Sequence, residues 1–294
     1  MIFTIFLIWF GSNTLFCQPY ILKPENKNIE NIFINIYNFS FDKADSLINS
    51  SFELKNDKIN QYSLKAYLYW WKIIGGDNIK SNLGKCDFYL EDVIKLSKND
   101  NKKDPLSQLN IINAYSLKSR IDNHKGNKIK AFYHFYNSIA YFRNLQSINS
   151  QDERTKFAIG LYNYLLAYIE KDYSSSLMYV LDFPKGDKVI GLKNMEYCSQ
   201  SRDPIIMTEA TYFLYKIYHT LEKDYTKAFD KISILRDLYP NNYVFGIEFL
   251  KVIKAQNKSK EFNFNCSKIM NDIKISKSLN SAQKQHFKTL IKNL

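Results

Sequence analysis

The chain has 294 residues, 45% of them hydrophobic and 16% aromatic, enough apolar material for one large folded domain, and this excludes a disordered protein. Its net charge of +12 comes from lysines scattered among Asn and Ile along the whole length, with no Arg-rich helix and no dense basic run. That distribution argues against nucleic-acid recognition, which needs a concentrated basic patch. It fits a general attraction to an acidic partner or a membrane surface.

Residues 1–17, "MIFTIFLIWFGSNTLFC", are apolar to Phe10 and broken from Gly11 to Thr14. A run this short reads as a secretory signal peptide, since a membrane span needs about 20 apolar residues. No Lys or Arg precedes the apolar core, and Phe16 is too bulky for the position before a lipidated Cys. Cleavage is expected after Cys17, leaving 18–294 as the mature domain, exported to the periplasm or cell envelope. Cys86, Cys198 and Cys266 then remain, too few and too scattered for a disulfide framework. They read as isolated thiols with one optional bridge, and no C-x-x-C spacing supports a redox or zinc site.

Nine Gly and six Pro are few for this length, which favours long helices. Two short apolar-periodic stretches lie within 26–55. "YSLKAYLYWWKII", Tyr62 to Ile74, is strongly amphipathic and ends at Gly75-Gly76, and Trp70-Trp71 places at least one indole in the core. Helical periodicity then covers Leu83 to Leu96, Leu106 to Asp122, Lys128 to Leu145, Thr155 to Ile169 and Asp187 to Cys198. It resumes over Pro204 to Leu221, Tyr225 to Tyr239, Tyr243 to Ala255, Phe262 to Ile275 and Ala282 to Ile291. Pro105, Pro184, Pro204 and Pro240 fall where helices start or stop, and no stretch alternates with period two. The expected fold is all-α.

Part of the chain repeats. Leu117 precedes Ala131 by fourteen residues, Leu214 precedes Ala228 by the same interval, and Phe135 and Ile232 each follow their Ala by four. A small residue at Ala131 or Ala228 lets the second helix of a hairpin approach the first closely, and neither helix can bury its stripe alone. The segment 208–242, "TEATYFLYKIYHTLEKDYTKAFDKISILRDLYPNN", resembles a tetratricopeptide repeat. Leu214, Tyr218, Ala228 and Pro240 stand at its Leu, Tyr, Ala and Pro positions, with one residue inserted near Glu222. Thr211 replaces the usual Trp and Tyr215 the usual small residue, so the resemblance implies an irregular α-α superhelix, a solenoid of helical hairpins. The run from Gly160 to Ser201, a Gly-bearing helix followed by "FPKGDKVIGL", is similar to divergent tetratricopeptide proteins of mitochondrial outer-membrane inclusion clearance and to secreted bacterial proteins of that type.

The resemblance implies binding of a protein or peptide in a groove lined by the first helix of each hairpin. It puts Tyr115 and Ser119 of one hairpin, and Tyr212 and Lys216 of another, on that face. Tyrosine offers contact area and one polar tip at low entropic cost. Tyr212 occupies one position of the family's carboxylate clamp, so that clamp is not reproduced. Catalytic patterns are missing: His124, His134, His219 and His286 have no H-E-x-x-H spacing, and no G-x-S-x-G elbow occurs. Adjacent carboxylates such as Glu91-Asp92 point apart on a helix and cannot flank one bond. The expectation is a non-catalytic interaction scaffold without metal or cofactor. A carbohydrate-binding outer-membrane accessory protein is the first alternative and an α-helical hydrolase the second.

Overall fold

The computed structural model describes residues 27–99, 104–146, 152–172 and 182–294, so the expected signal peptide 1–17 lies outside them. Among the described residues the chain is all-α. In chain order the helices are α1 (Lys27–Tyr37), α2 (Phe41–Ser50), α3 (Phe52–Asn56), α4 (Lys58–Ile74), α5 (Ile79–Asn99), α6 (Pro105–His124) and α7 (Lys128–Gln146). They continue as α8 (Glu153–Asp172), α9 (Lys188–Cys198), α10 (Pro204–Lys216), α11 (Tyr225–Leu238), α12 (Tyr243–Ala255), α13 (Ser259–Ile275) and α14 (Ser281–Lys292). No helix among the described residues is long and apolar enough to cross a membrane.

Local chemistry sets the helix starts. Asp104 and Asp203 sit one residue before Pro105 and Pro204, and their carboxylates accept from backbone N–H groups of the first turns of α6 and α10. An acidic cap followed by proline satisfies orphan donors and supplies a φ already suited to the helix. Asp57, Asp187, Asp224 and Asn242 cap α4, α9, α11 and α12 in the same way. Asn280 and Gln283 form a reciprocal capping box at α14. At the far end of α4, Gly76 adopts φ +77°, a left-handed turn where any side chain would also run into His286.

Consecutive helices pack as neighbours in an irregular array. The hairpin of α10 and α11 contains the best repeat unit, with Leu214, Ala228 and Ile232 fully buried in its seam. Leu117, Ala131 and Phe135 are buried in the hairpin of α6 and α7, where Ser119 Oγ donates to the Ala131 carbonyl at 2.6 Å. Between α10 and α11 the chain makes a π-helical turn, Ile217–Glu222, closed by Lys223 in the left-handed region. A π turn is how a helix absorbs one extra residue without losing its register downstream.

The ends of the array meet. The Asn242 side-chain amide donates to the Tyr37 carbonyl at 2.8 Å, and Asn280 Nδ2 donates to Asp77 Oδ1 at 2.8 Å. Phe39 on the α1–α2 turn packs against Phe287 of α14 with ring centroids 5.6 Å apart, and Tyr37 lies 4.9 Å from the Tyr239 ring. Helices α1 to α4 therefore share one core with α10 to α14.

Candidate interaction surface

The closure decides which residues can meet a partner. Helices α6, α8, α10 and α12 are enclosed on nearly every side, so that nine successive residues of α10, Thr208 to Lys216, are all buried. This corrects the groove assignment. Tyr115, Ser119, Tyr212 and Lys216 are all interior. The Tyr115 ring stacks against His134 and Tyr141, and its hydroxyl accepts from Lys98 Nζ at 3.2 Å. Tyr212 lies 5.8 Å from Phe245, ring to ring. The burial of their helices comes from contacts between distant parts of the chain.

Two charged clusters occupy that interior. In the first, Glu209 of α10 accepts through Oε1 from Tyr37 of α1 at 2.9 Å and also from Tyr67 of α4. Burial pushes its carboxyl up to about 7, against the opposing hydrogen bonds of Tyr67 and Tyr37 and the nearby Arg120 charge. In the second, Lys216 Nζ lies 2.9 Å from Glu248 Oε2 of α12, and Tyr215 also donates to that carboxylate oxygen. Lys251 holds the other oxygen of Glu248 at 2.9 Å. Burial alone would raise the Glu248 carboxyl, but Lys216 and Lys251 outweigh it and keep it well below the usual carboxylate range. Burial likewise brings the Lys216 ammonium down to about 8, so the pair stays ionised at neutral pH. His219 beside it is lowered to about 4, first by burial and then by Lys216. Sequence reasoning missed both clusters. The available signal was a single acid inside each of two apolar helices, "PIIMTEATYFLYK" and "YVFGIEFLKVIKA", because a lone charge in such a setting must find a buried partner.

The glycines of the Gly160 to Ser201 run have a packing role. A Cβ on Gly191 would lie 2.7 Å from the Tyr164 amide nitrogen and 2.9 Å from the Gly160 carbonyl oxygen. Helices α8 and α9 thus cross with backbones in near contact. Glu222, at the end of the π turn, fastens this crossing from outside: it accepts from Tyr164 of α8 and pairs with Lys188 of α9 at 2.7 Å.

What the protein presents outward follows one rule. Among the described residues, every exposed large hydrophobic side chain within a helix, Leu106 apart, lies on an odd-numbered helix. These are Ile34 on α1, Phe52 on α3, Phe88 on α5, Ile129, Tyr133 and Tyr136 on α7, Val189, Ile190 and Tyr197 on α9, Ile234 and Leu238 on α11, and Phe264 and Ile275 on α13. Of the even-numbered helices, α6, α10 and α12 are mostly buried, whereas α2 and α14 each bury only three residues. Lys231 of α11 bridges to Glu196 of α9 at 2.5 Å, joining two of the outer helices.

Other site chemistry is sparse. Cys86, Cys198 and Cys266 are free thiols, and burial raises the Cys198 thiol to about 12. No group of His, Cys, Asp and Glu among the described residues could hold a metal ion. Trp70 and Trp71 are both buried and offer no sugar-stacking platform. A pocket of about 270 Å³ between α11, α12 and α13 is lined by two bases, Arg236 and Lys268, and two acids, Asp237 and Asp272. Its charges balance, and it is not the deep acidic pocket a hydrolase reading calls for. Comparisons with protein-family models, curated proteins and solved structures found no match.

Proposed function

We propose that the chain is a non-catalytic interaction scaffold of the bacterial cell envelope whose partner-binding surface is the exposed apolar face of α9 and α11. The observation that carries this reading is the group of exposed apolar side chains on α9 and α11, two helices that Lys231 and Glu196 tie together at 2.5 Å. Scattered exposed apolar residues are ordinary on any surface, but here Val189, Ile190, Tyr197, Ile234 and Leu238 lie on two bridged helices. Tyr197 and Val189 on α9 and Ile234 and Leu238 on α11 give aromatic and aliphatic anchors of the kind that dominate protein interfaces. The tetratricopeptide-like frame of 208–242 agrees with such a role, and the apolar segment 1–17 supports export.

A photoreactive phenylalanine analogue placed at Val189, Tyr197, Ile234 or Leu238 tests this in the cells that make the protein. One adduct of constant mass from the outer positions, and none from Lys58 or Thr289, is the expected result. Adducts from no outer position would remove the basis for the reading. Fractionation of the same cells tests export, and equal recovery from cytosol and envelope counts against it.

A further inference from the structure

We propose that the outer face of α7 is a docking surface for anionic lipid. Ile129, Tyr133 and Tyr136 are 75%, 58% and 39% exposed, and their spacing of four and three residues sets them in one stripe along the helix. Phe183 extends the stripe sideways, its ring 5.9 Å from Tyr136.

The charges around the stripe are predominantly positive. Helix α7 contains no acidic residue in its nineteen positions. Lys128 and Lys130 flank Ile129, Lys125 stands on the turn just before, and all three are exposed. None of the three forms an ion pair among the described residues. Asp87 pairs with Lys118 at 2.6 Å, and Asp122 lies 3.2 Å from His134, whose imidazole is held below its ordinary range by burial, so Asp122 is one carboxylate beside three lysines. At the other end Arg143 is neutralised by Asp182 at 2.5 Å.

These lysines also stand where the fold itself gains nothing from them. The first turn of a helix carries partial positive charge and favours anions, so Lys128 and Lys130 destabilise α7 slightly in isolation. An external anionic surface reverses that sign. Tyrosine rings and an aliphatic side chain suit the headgroup level of a bilayer, while lysines reach outward to lipid phosphates. The face is the outside of an exposed helix, with its apolar groups in a single row, which matches a flat surface better than the pocketed anchor a peptide would need. The proposal stands apart from the protein-partner reading, whose test uses α9 and α11.

Sedimentation of the full chain with vesicles of equal parts phosphatidylcholine and phosphatidylglycerol tests it, with phosphatidylcholine vesicles as reference. Binding is expected to the mixed vesicles and to be salt-sensitive. The triple variant Lys125→Glu, Lys128→Glu, Lys130→Glu should weaken partitioning by at least about 100-fold, given what each surface lysine contributes near an anionic leaflet. An independent variant, Ile129→Ser with Tyr133→Ser and Tyr136→Ser, should also weaken it. The same charge reversal at Lys268 and Lys274 of α13 and at Lys277 just beyond it should change it by less than about threefold, since these lysines lie away from the face. Equal losses from the α7 and α13 reversals, or no loss from either α7 variant, overturn the proposal. Binding of poly-glutamate that the lysine variant abolishes and the apolar variant spares would assign the face to an acidic polypeptide and equally overturn it. All substituted side chains are exposed, and a far-UV circular dichroism spectrum matching wild type confirms the fold.

Discussion

Tyr37 and Glu209, 172 positions apart, share a hydrogen bond of 2.9 Å in the interior, and through it the first helix is tied to the tenth. Glu209 is an acid whose folded-state carboxyl sits at about 7 against 4.5 in an unfolded chain, chiefly because of burial. A folded-state value raised above the unfolded one means that the native protein binds the proton more tightly. The stability from this group is therefore fully present below pH 4.5 and is lost as pH rises through 7. The shift corresponds to about 3 kcal/mol. Glu209→Gln removes the titration and keeps an acceptor for both tyrosines. Denaturant unfolding at pH 5 and pH 8 should show the variant gaining up to about 3 kcal/mol on wild type between the two. A difference that stays constant with pH would mean that Glu209 is not the titrating group. The buried histidines act in the opposite direction in both proteins and cancel in this comparison.

The second buried cluster is asymmetric. Glu248 is held by Lys216, Lys251 and Tyr215, whereas Lys216 pairs with Glu248 alone among the described carboxylates. Glu248→Gln strands a buried ammonium and should cost about 3–5 kcal/mol. Lys216→Met leaves the carboxylate with two partners and should cost less, about 1–3 kcal/mol. The double variant should recover about 1–3 kcal/mol of the summed losses, a coupling readable from urea unfolding of the four proteins. Additive losses within about 0.5 kcal/mol would show the two residues to be independent.

Glycine substitutions should separate the α8–α9 crossing from an open helix face. Gly191→Ala pushes a methyl against backbone atoms at 2.7 and 2.9 Å, which flexible side chains cannot relieve, and should cost about 1–3 kcal/mol or more. Gly84 in α5 has nothing within 4 Å of its missing Cβ. Gly84→Ala should stabilise by about 0.5–1 kcal/mol through helix propensity. Thermal melts of the two variants should move in opposite directions.

The helices were legible because their determinants are local. Asp104-Pro105 and Asp203-Pro204 mark two starts in four residues of sequence, and the interval from Leu117 to Ala131 marks a hairpin within one turn of chain. The burial of Tyr115, Ser119, Tyr212 and Lys216 was not legible. It follows from Tyr37 meeting Tyr239, Phe39 meeting Phe287 and Asn242 meeting the Tyr37 carbonyl, pairs separated by about 200 positions or more. Apolar periodicity identifies which face of a helix seeks a core; it does not report that a second core closes over the opposite face. The outer stripe of Ile129, Tyr133 and Tyr136 was hidden for the converse reason. Its residues look like core positions until their exposure among the described residues is known.

The π turn offers a test of how a local irregularity serves distant contacts. Ile217–Glu222 is wound as a π turn, and Glu222 at its end reaches both Tyr164 and Lys188. Removing Thr220, a half-buried residue inside the turn, should let α10 continue with ordinary α-helical hydrogen bonding. Residues beyond the deletion then shift by about 100° around the axis, following from 3.6 residues per turn, and Glu222 leaves the crossing. Stability should fall by about 1–3 kcal/mol, even though the helix itself becomes more regular, because a buried tyrosine hydroxyl on α8 loses its acceptor. Glu222→Gln in the full-length turn keeps an acceptor and should cost less than half as much. If the deletion is neutral or stabilising, the π turn is a tolerated insertion and the clamp on α8 and α9 contributes nothing.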